Sequence, residues 1–226
     1  MKFVIIGLGN FGSSLGIKLI EEGHEVIGVE YQDSKVNKYK DALTYVIKAD
    51  TADEQNIINL PIEEADFVFI TIGEDVGASI STLALIKKHY KTPIIARAIN
   101  DIHYTVIESI GVMEIIQPES DFATLFSHRF LLKGSILSIP LDDEFEIAEI
   151  KVPDYYVGKK LKDTHMYSVP EIKFITVLRE VTKKNLIGNT VKKRKVYQDA
   201  SEHTELQEND AIVVFGPIKK LKGCFK

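Results

Sequence analysis

Short apolar runs recur through the first half of the chain at intervals of roughly 20 residues, with helical spacing between them. Phe3-Val4-Ile5-Ile6, Glu25 to Glu30, Thr44 to Lys48, Phe67 to Ile72, Ile94 to Ala98 and Met113 to Ile116 are rich in β-branched and aromatic residues. Such runs, FVFITI above all, read as strands covered on both faces. Between them, Ser13 to Glu22 carries Leu15, Ile17, Leu19 and Ile20 on a helical pattern. Val76 to His89 does the same with Ile80, Leu83, Leu85 and Ile86. Ser34 to Asp41, Asp53 to Leu60 and Asp101 to Ser109 supply three more helices, and Gly23, Pro61 and Gly111 punctuate the series. Strand alternating with helix predicts an α/β fold, a doubly wound parallel sheet.

The pattern changes after Ile116. Gln117-Pro118-Glu119-Ser120-Asp121 opens a helix expected over Phe122 to Leu132, bulky nearly all round, and predicted to bury both faces, one of them against another subunit. Ser135 to Pro140, the alternating Phe145 to Val152, Ile172 to Arg179 and Asp210 to Phe215 read as strands. Short helices are expected over Lys159 to Asp163 and Pro217 to Leu221. Val181 to Leu186 reads as a turn, and Lys192-Lys193-Arg194-Lys195 as a solvated hairpin or loop. The organisation expected is a first domain over 1–117, a connecting helix over 118–134 and a smaller α+β domain over 135–226.

Charge supports that division. Residues 1 to 133 carry 12 Lys+Arg against 19 Asp+Glu, a balance of −7, whereas residues 134 to 226 carry 16 against 14, a balance of +2. An acidic first half argues against nucleic acid as a partner. At 226 residues, 45% hydrophobic and 27% charged, the chain suits two soluble units with real cores. No run approaches the roughly 20 apolar residues of a membrane span. The first strand begins almost at once, which leaves no room for a cleaved leader, and the single cysteine, Cys224, excludes a disulfide framework. A cytosolic location is expected.

The chemistry concentrates at strand ends. Gly7-Leu8-Gly9-Asn10-Phe11-Gly12 is a G-x-G-x-x-G leaving the first strand. Its first glycine permits the turn, the second lets backbone approach a diphosphate, and the third lets the following helix pack close. Glu30, 18 positions after Gly12 at the end of the second strand, suits the carboxylate that receives an adenosine ribose. Asp50, Thr71 and Gly73 are candidates because ligands of such sheets lie beyond the carboxyl ends of the strands. Arg97 sits inside an apolar run and offers forked donors to phosphate oxygens or to a surface acid. Glu119 and Asp121 suit the positive end of a helix. No Ser/His/Asp, Cys/His or H-E-x-x-H grouping suggests catalysis, and the second half offers no evident catalytic pocket.

GLGNFG followed by GHEVIGVE, KADTADE, FVFITIGE, IIARAIN and IIQPESD, then VGKKL and a closing END-AIVVFG, resembles the RCK proteins across the whole chain. These are the cytosolic TrkA/KtrA-type gating subunits of bacterial potassium transport systems. The resemblance implies a Rossmann-like RCK domain, a crossover helix and a TrkA-C domain. It implies a non-enzymatic nucleotide-binding subunit on the inner face of the membrane, regulating an integral-membrane K⁺ transporter subunit of the TrkH/KtrB type. Homodimers would assemble into a tetramer or octameric ring. The ligand would be NAD(H), ADP or ATP, with Gly7, Gly9 and Gly12 near the phosphates and Asn10 and Phe11 in the same loop. Glu30 would take the ribose, Asp50 and Thr51 would lie near the adenine, and Gly73 near ribose and phosphates beside Thr71. Arg97 would reach phosphate. Glu119 matches a position that holds Ca²⁺ or Mg²⁺ in some members, and cyclic di-AMP would bind the C-terminal domain at residues the resemblance does not assign. Asn10 departs from the arginine common in ATP-sensing members, which puts γ-phosphate sensing in question. The alternatives are a small NAD-dependent oxidoreductase and a nucleic-acid binder using Lys192 to Lys195.

Overall fold

In the computed structural model, which describes residues 1–184 and 190–225, the first six strands form one sheet. They are β1 (Lys2–Ile6), β2 (Glu25–Glu30), β3 (Tyr45–Lys48), β4 (Phe67–Ile70), β5 (Ile94–Arg97) and β6 (Glu114–Ile116), in the order β3-β2-β1-β4-β5-β6. Every pairing is parallel, and Val4 of β1 lies opposite Ile27 on one side and Val68 on the other. The chain winds outward from β1 to β3, then crosses back to begin β4. That reversal opens a crevice at the carboxyl end of β1.

Alternation along β1 explains its apolar run. Val4 and Ile6 enter one core with Val68, Ile70 and Leu83, while Phe3 and Ile5 enter a second core with Leu8, Val26 and Leu43. From Phe3 to Ile6 neither face of the strand meets water, so none of these four positions is free to be polar. The covering helices are α1 (Asn10–Glu21), α2 (Asp33–Tyr39), α3 (Glu54–Ile58), α4 (Val76–His89) and α5 (Asp101–Ile110). Asp75 caps α4 by accepting from the Ala78 N–H at 2.9 Å, and Asn100 caps α5 by accepting from the His103 N–H at 2.9 Å. Helix α1 has Gly9 at this position and no side-chain cap.

His103 is buried in α5. Its Nδ1 accepts from the Ile99 N–H at 3.4 Å, and its Nε2 has no partner among the described residues. Burial holds its pKa below the ordinary 6.5. The unfolded chain therefore takes a proton that the folded chain refuses. Stability is full above pH 6.5 and falls as pH drops below it, by up to about 1.4 kcal/mol per pH unit until the folded-state value is reached. Urea midpoints at pH 7.5 and 5.5 should diverge for the wild type and much less for His103→Gln; equal divergence would exclude His103 as the cause.

The contacts divide the chain into Met1–Asp121 and Phe122–Lys226. The second unit holds β7 (Ser135–Pro140), β8 (Phe145–Lys151), β9 (Lys173–Lys184), β10 (Thr190–Val196) and β11 (Ala211–Pro217). They form an antiparallel sheet ordered β10-β9-β11-β8-β7. Its core gathers Ala148, Ile150, Leu161, Val177, Ile212 and Val214. Helix α7 (Ile218–Cys224) packs Leu221 and Cys224 into it, and single turns of 3₁₀ helix, including Leu161–Asp163, fill the region expected to be one short helix. Asp210 is buried beneath Arg179, which donates to it from Nε at 3.1 Å and from Nη2 at 2.9 Å.

Two expectations are corrected and a third is decided between its alternatives. Of the solvated hairpin and the loop expected for 192–195, the structure has the hairpin arm: the run is exposed in β10, antiparallel to β9 at the sheet edge, with Lys192 on Glu180 at 2.6 Å and Arg194 on Glu149 at 3.2 Å. An edge strand accommodates charge because one of its sides pairs with nothing. Val181 to Lys184 continue β9 instead of turning; Asn185 and Leu186, the rest of that expected turn, lie outside the described residues. The helix expected over Phe122 to Leu132 is α6 (Pro118–His128), and none of its residues is buried among the described residues. Phe122 is 65% exposed and Phe126 45%, whereas Leu132, beyond the helix, enters the second core. A residue pattern shows that a face is apolar but not what covers it.

Candidate functional site

Gly7 leaves β1 with φ +96°, a left-handed conformation that favours glycine, and turns the chain into α1. Gly12 permits the next contact. A Cβ there would meet the Gly7 carbonyl oxygen and Thr71 Oγ1 well inside van der Waals distance. Thr71 in turn donates from its hydroxyl to the backbone, lying 2.7 Å from the Gly7 oxygen and 3.0 Å from that of Ile6, and so fixes the turn to the end of β4. At Gly9, by contrast, a Cβ would meet nothing within 4 Å. The N-terminal amides of α1 are thus uncapped and face open space, the arrangement in which a helix start receives an anion.

The open space is a cavity of about 490 Å³ at the carboxyl end of the sheet. Of the residues that the resemblance assigns to nucleotide or metal, Gly12 alone does not line it. Gly7, Gly9, Asn10 and Phe11 form its floor, and Glu30, Asp50, Thr51, Thr71, Gly73, Arg97 and Glu119 its walls. Their roles differ. The Thr51 hydroxyl is 2.8 Å from that of Thr82 and the Thr71 hydroxyl is spent on the glycine turn, so both hold structure together. Asp50 accepts from the Ala52 N–H at 3.0 Å.

Glu30 is buried at 4% exposure and organises the centre. Its Oε2 accepts from the Leu8 N–H at 2.9 Å, and its Oε1 from the amides of Tyr31 and Gln32, both at 3.0 Å. The carboxylate therefore ties the glycine loop to the end of β2. Two oxygens offer about four acceptor sites, which leaves capacity for a hydroxyl donor from a ligand.

Arg97, at the end of β5, pairs through Nη2 with Glu119 in the first turn of α6. Its Nε is buried and has no partner among the described residues. Backbone at Gly73 clears the guanidinium, which a Cβ there would strike. The Arg97 side chain lines the cavity floored by helix amides, where its forked donors suit a phosphate oxygen. Among the described residues, no group of three or more His, Cys, Asp or Glu side chains could hold a metal, and Glu119 stands with Arg97 instead.

Sequence reasoning missed Tyr31, Lys35 and Glu74, which also line the cavity. Lys35 Nζ lies 3.7 Å from Glu74 Oε1, although one residue belongs to α2 and the other to the loop after β4. Only the position of Tyr31, next to the strand-end acid, carried a signal in the sequence.

Fold and crevice together are those of a Rossmann-like α/β domain followed by a small antiparallel unit. The chain belongs to the TrkA-N domain family, whose model matches residues 3–118. It is 32% identical over 178 residues to the Ktr system potassium uptake protein C of Bacillus subtilis (strain 168), covering 79% of this chain and 80% of that protein. It is 34% identical over 165 residues to the Ktr system potassium uptake protein A of the same organism, covering 73% and 74%. A solved structure described as the GsuK channel bound to NAD shares the fold with a TM-score of 0.63 at 16% identity, over 100% of this chain and 39% of that one. The chain therefore spans well under half of that channel's length. No helix among the described residues is long and apolar enough to cross a membrane.

Proposed function

We propose that this chain is a cytosolic regulatory subunit of a potassium transport system, binding an adenine nucleotide, NAD(H), ADP or ATP, without consuming it and biasing an integral-membrane K⁺ partner. The observation that carries the reading is the Arg97 guanidinium lining a cavity that is floored by uncapped helix amides and backed by Glu30. The names of the Ktr relatives support the potassium system, and the NAD-bound channel supports the ligand class.

The coupling follows from the Arg97–Glu119 pair. A ligand phosphate that takes Arg97 competes with Glu119, which stands in the first turn of α6. Helix α6 leads directly into the second unit, so releasing Glu119 changes what holds its start. The ligand acts only through its differential affinity for the two arrangements. Released Glu119 is also the group available to Ca²⁺ or Mg²⁺. The exposed aromatic ladder Phe122, Phe126 and Phe130, whose rings lie 5.8 and 5.2 Å apart, is assigned to a second copy of the chain.

The test is calorimetric titration with ATP, ADP, AMP and NADH, with and without the divalent ions. Arg97→Met should weaken the bound nucleotide roughly tenfold to hundredfold, since a hydrogen bond to a charged group contributes about 1.5–3 kcal/mol. A wild-type protein that binds none of the four would overturn the reading, and steady consumption of NADH would replace it with an oxidoreductase.

A further inference from the structure

We infer that Tyr31 is the platform on which the base of the nucleotide lies; this rests on the nucleotide reading of the cavity and adds the contact that recognises the base. Tyr31 directly follows Glu30, and its backbone N–H donates to the Glu30 carboxylate at 3.0 Å. The start of its side chain is thereby fixed beside the group assigned to the ribose. Its ring is left unpacked. It is 61% exposed, whereas Phe3 on the same sheet stacks on Phe67 and packs at a tilt against Phe69. An aromatic ring exposed on a cavity wall is a large apolar surface with no partner in the chain.

The remaining chemistry of the wall narrows what the ring can do. The Tyr31 hydroxyl accepts from Gln32 Nε2 at 2.7 Å, which leaves its own O–H and the broad ring face to be offered. Lys35, four residues on, has its charge countered by Glu74 at 3.7 Å and does not turn this wall into an anion site. Strand order separates the two ends of the cavity. Tyr31 follows β2, next to the residues after β3, while Arg97 ends β5 on the far side of β1. A ribose held by Glu30 carries phosphate from C5′ and its base from C1′, on opposite sides of the sugar. With phosphate at the glycine turn and Arg97, the base falls to the Tyr31 end. Stacking there is tolerant of base identity, because every base presents a π-face.

Calorimetry on the full chain tests this with ADP, ribose 5-phosphate and pyrophosphate. Tyr31→Ala should weaken ADP roughly tenfold to hundredfold and change the two base-free ligands less than about twofold, while Tyr31→Phe, which keeps the ring, should match the wild type. The chain contains no tryptophan, so Tyr31→Trp creates a lone reporter whose emission should change with ADP and not with pyrophosphate. Equal ADP affinity in the wild type and Tyr31→Ala would overturn the platform and leave the nucleotide reading standing. Failure of the wild type to bind ADP or any other adenine nucleotide would remove both.

Discussion

Gly9→Asp is expected to abolish nucleotide binding while leaving the protein folded, and the two effects have separate causes. The backbone of Gly9, at φ −68° and ψ −170°, is extended and open to any residue, and a Cβ there meets nothing within 4 Å. Aspartate is moreover a good N-cap, so α1 should be held at least as firmly as before. Yet the new carboxylate occupies the space in front of the helix amides, where the phosphates are assigned. Two unit charges 4 Å apart near a protein surface repel by about 4 kcal/mol, which is roughly a thousandfold in affinity. A thermal melt unchanged beside a calorimetric signal that vanishes is the expected pair of results. Retained tight binding would place the phosphates away from the turn. Gly12 should behave differently: its Cβ would collide with the Gly7 carbonyl and Thr71, so a side chain there disturbs the fold itself.

Glu30→Ala should lose both binding and stability. The substitution strands three amides, those of Leu8, Tyr31 and Gln32, beside a newly emptied space. Bonds to a charged acceptor contribute about 1.5–3 kcal/mol each, and allowing for solvent reaching the freed groups, a total loss of about 3 kcal/mol is expected. Glutamine should not rescue it. A carboxylate only accepts, whereas the glutamine amide must turn its NH₂ toward one of the donors that Glu30 now satisfies. Urea unfolding followed by a probe in the first unit measures the stability term, and calorimetry the affinity, expected to fall roughly a hundredfold with the ribose contact. If Glu30→Gln unfolds at the wild-type midpoint, the carboxylate is not the clamp on the glycine loop.

Much of the first unit was legible because its cues are local. β2 over Glu25–Glu30 and α4 over Val76–His89 have the ends that the residue pattern gives them, and so does β7 over Ser135–Pro140 in the second unit. Apolar runs bounded by glycine and proline specify buried strands wherever they finally sit. The glycine motif and Glu30 were equally readable, since each sits at a strand end whose role depends on a few neighbours in sequence. The β10 run was legible only in part. Four consecutive cations read as a solvated hairpin or loop, and they are exposed, but only the pairing with β9 and the carboxylates of Glu180 and Glu149 decide for the hairpin. For α6 the residue pattern gave an apolar surface but not its cover, which is absent among the described residues.

The sequence by itself therefore determined the alternating strand and helix plan, the glycine turn and the strand-end acid, all set by steric and periodic rules that act over one or two turns of chain. The tertiary structure decided the rest. It set Arg97 against Glu119, Lys35 against Glu74 and Arg179 over Asp210, and it exposed Tyr31 on the cavity wall. Those partners lie 22 to 39 positions apart in the chain and meet only once the order of strands in each sheet is fixed. That order minimises exposed apolar surface over a whole unit, a quantity that no local stretch of residues contains.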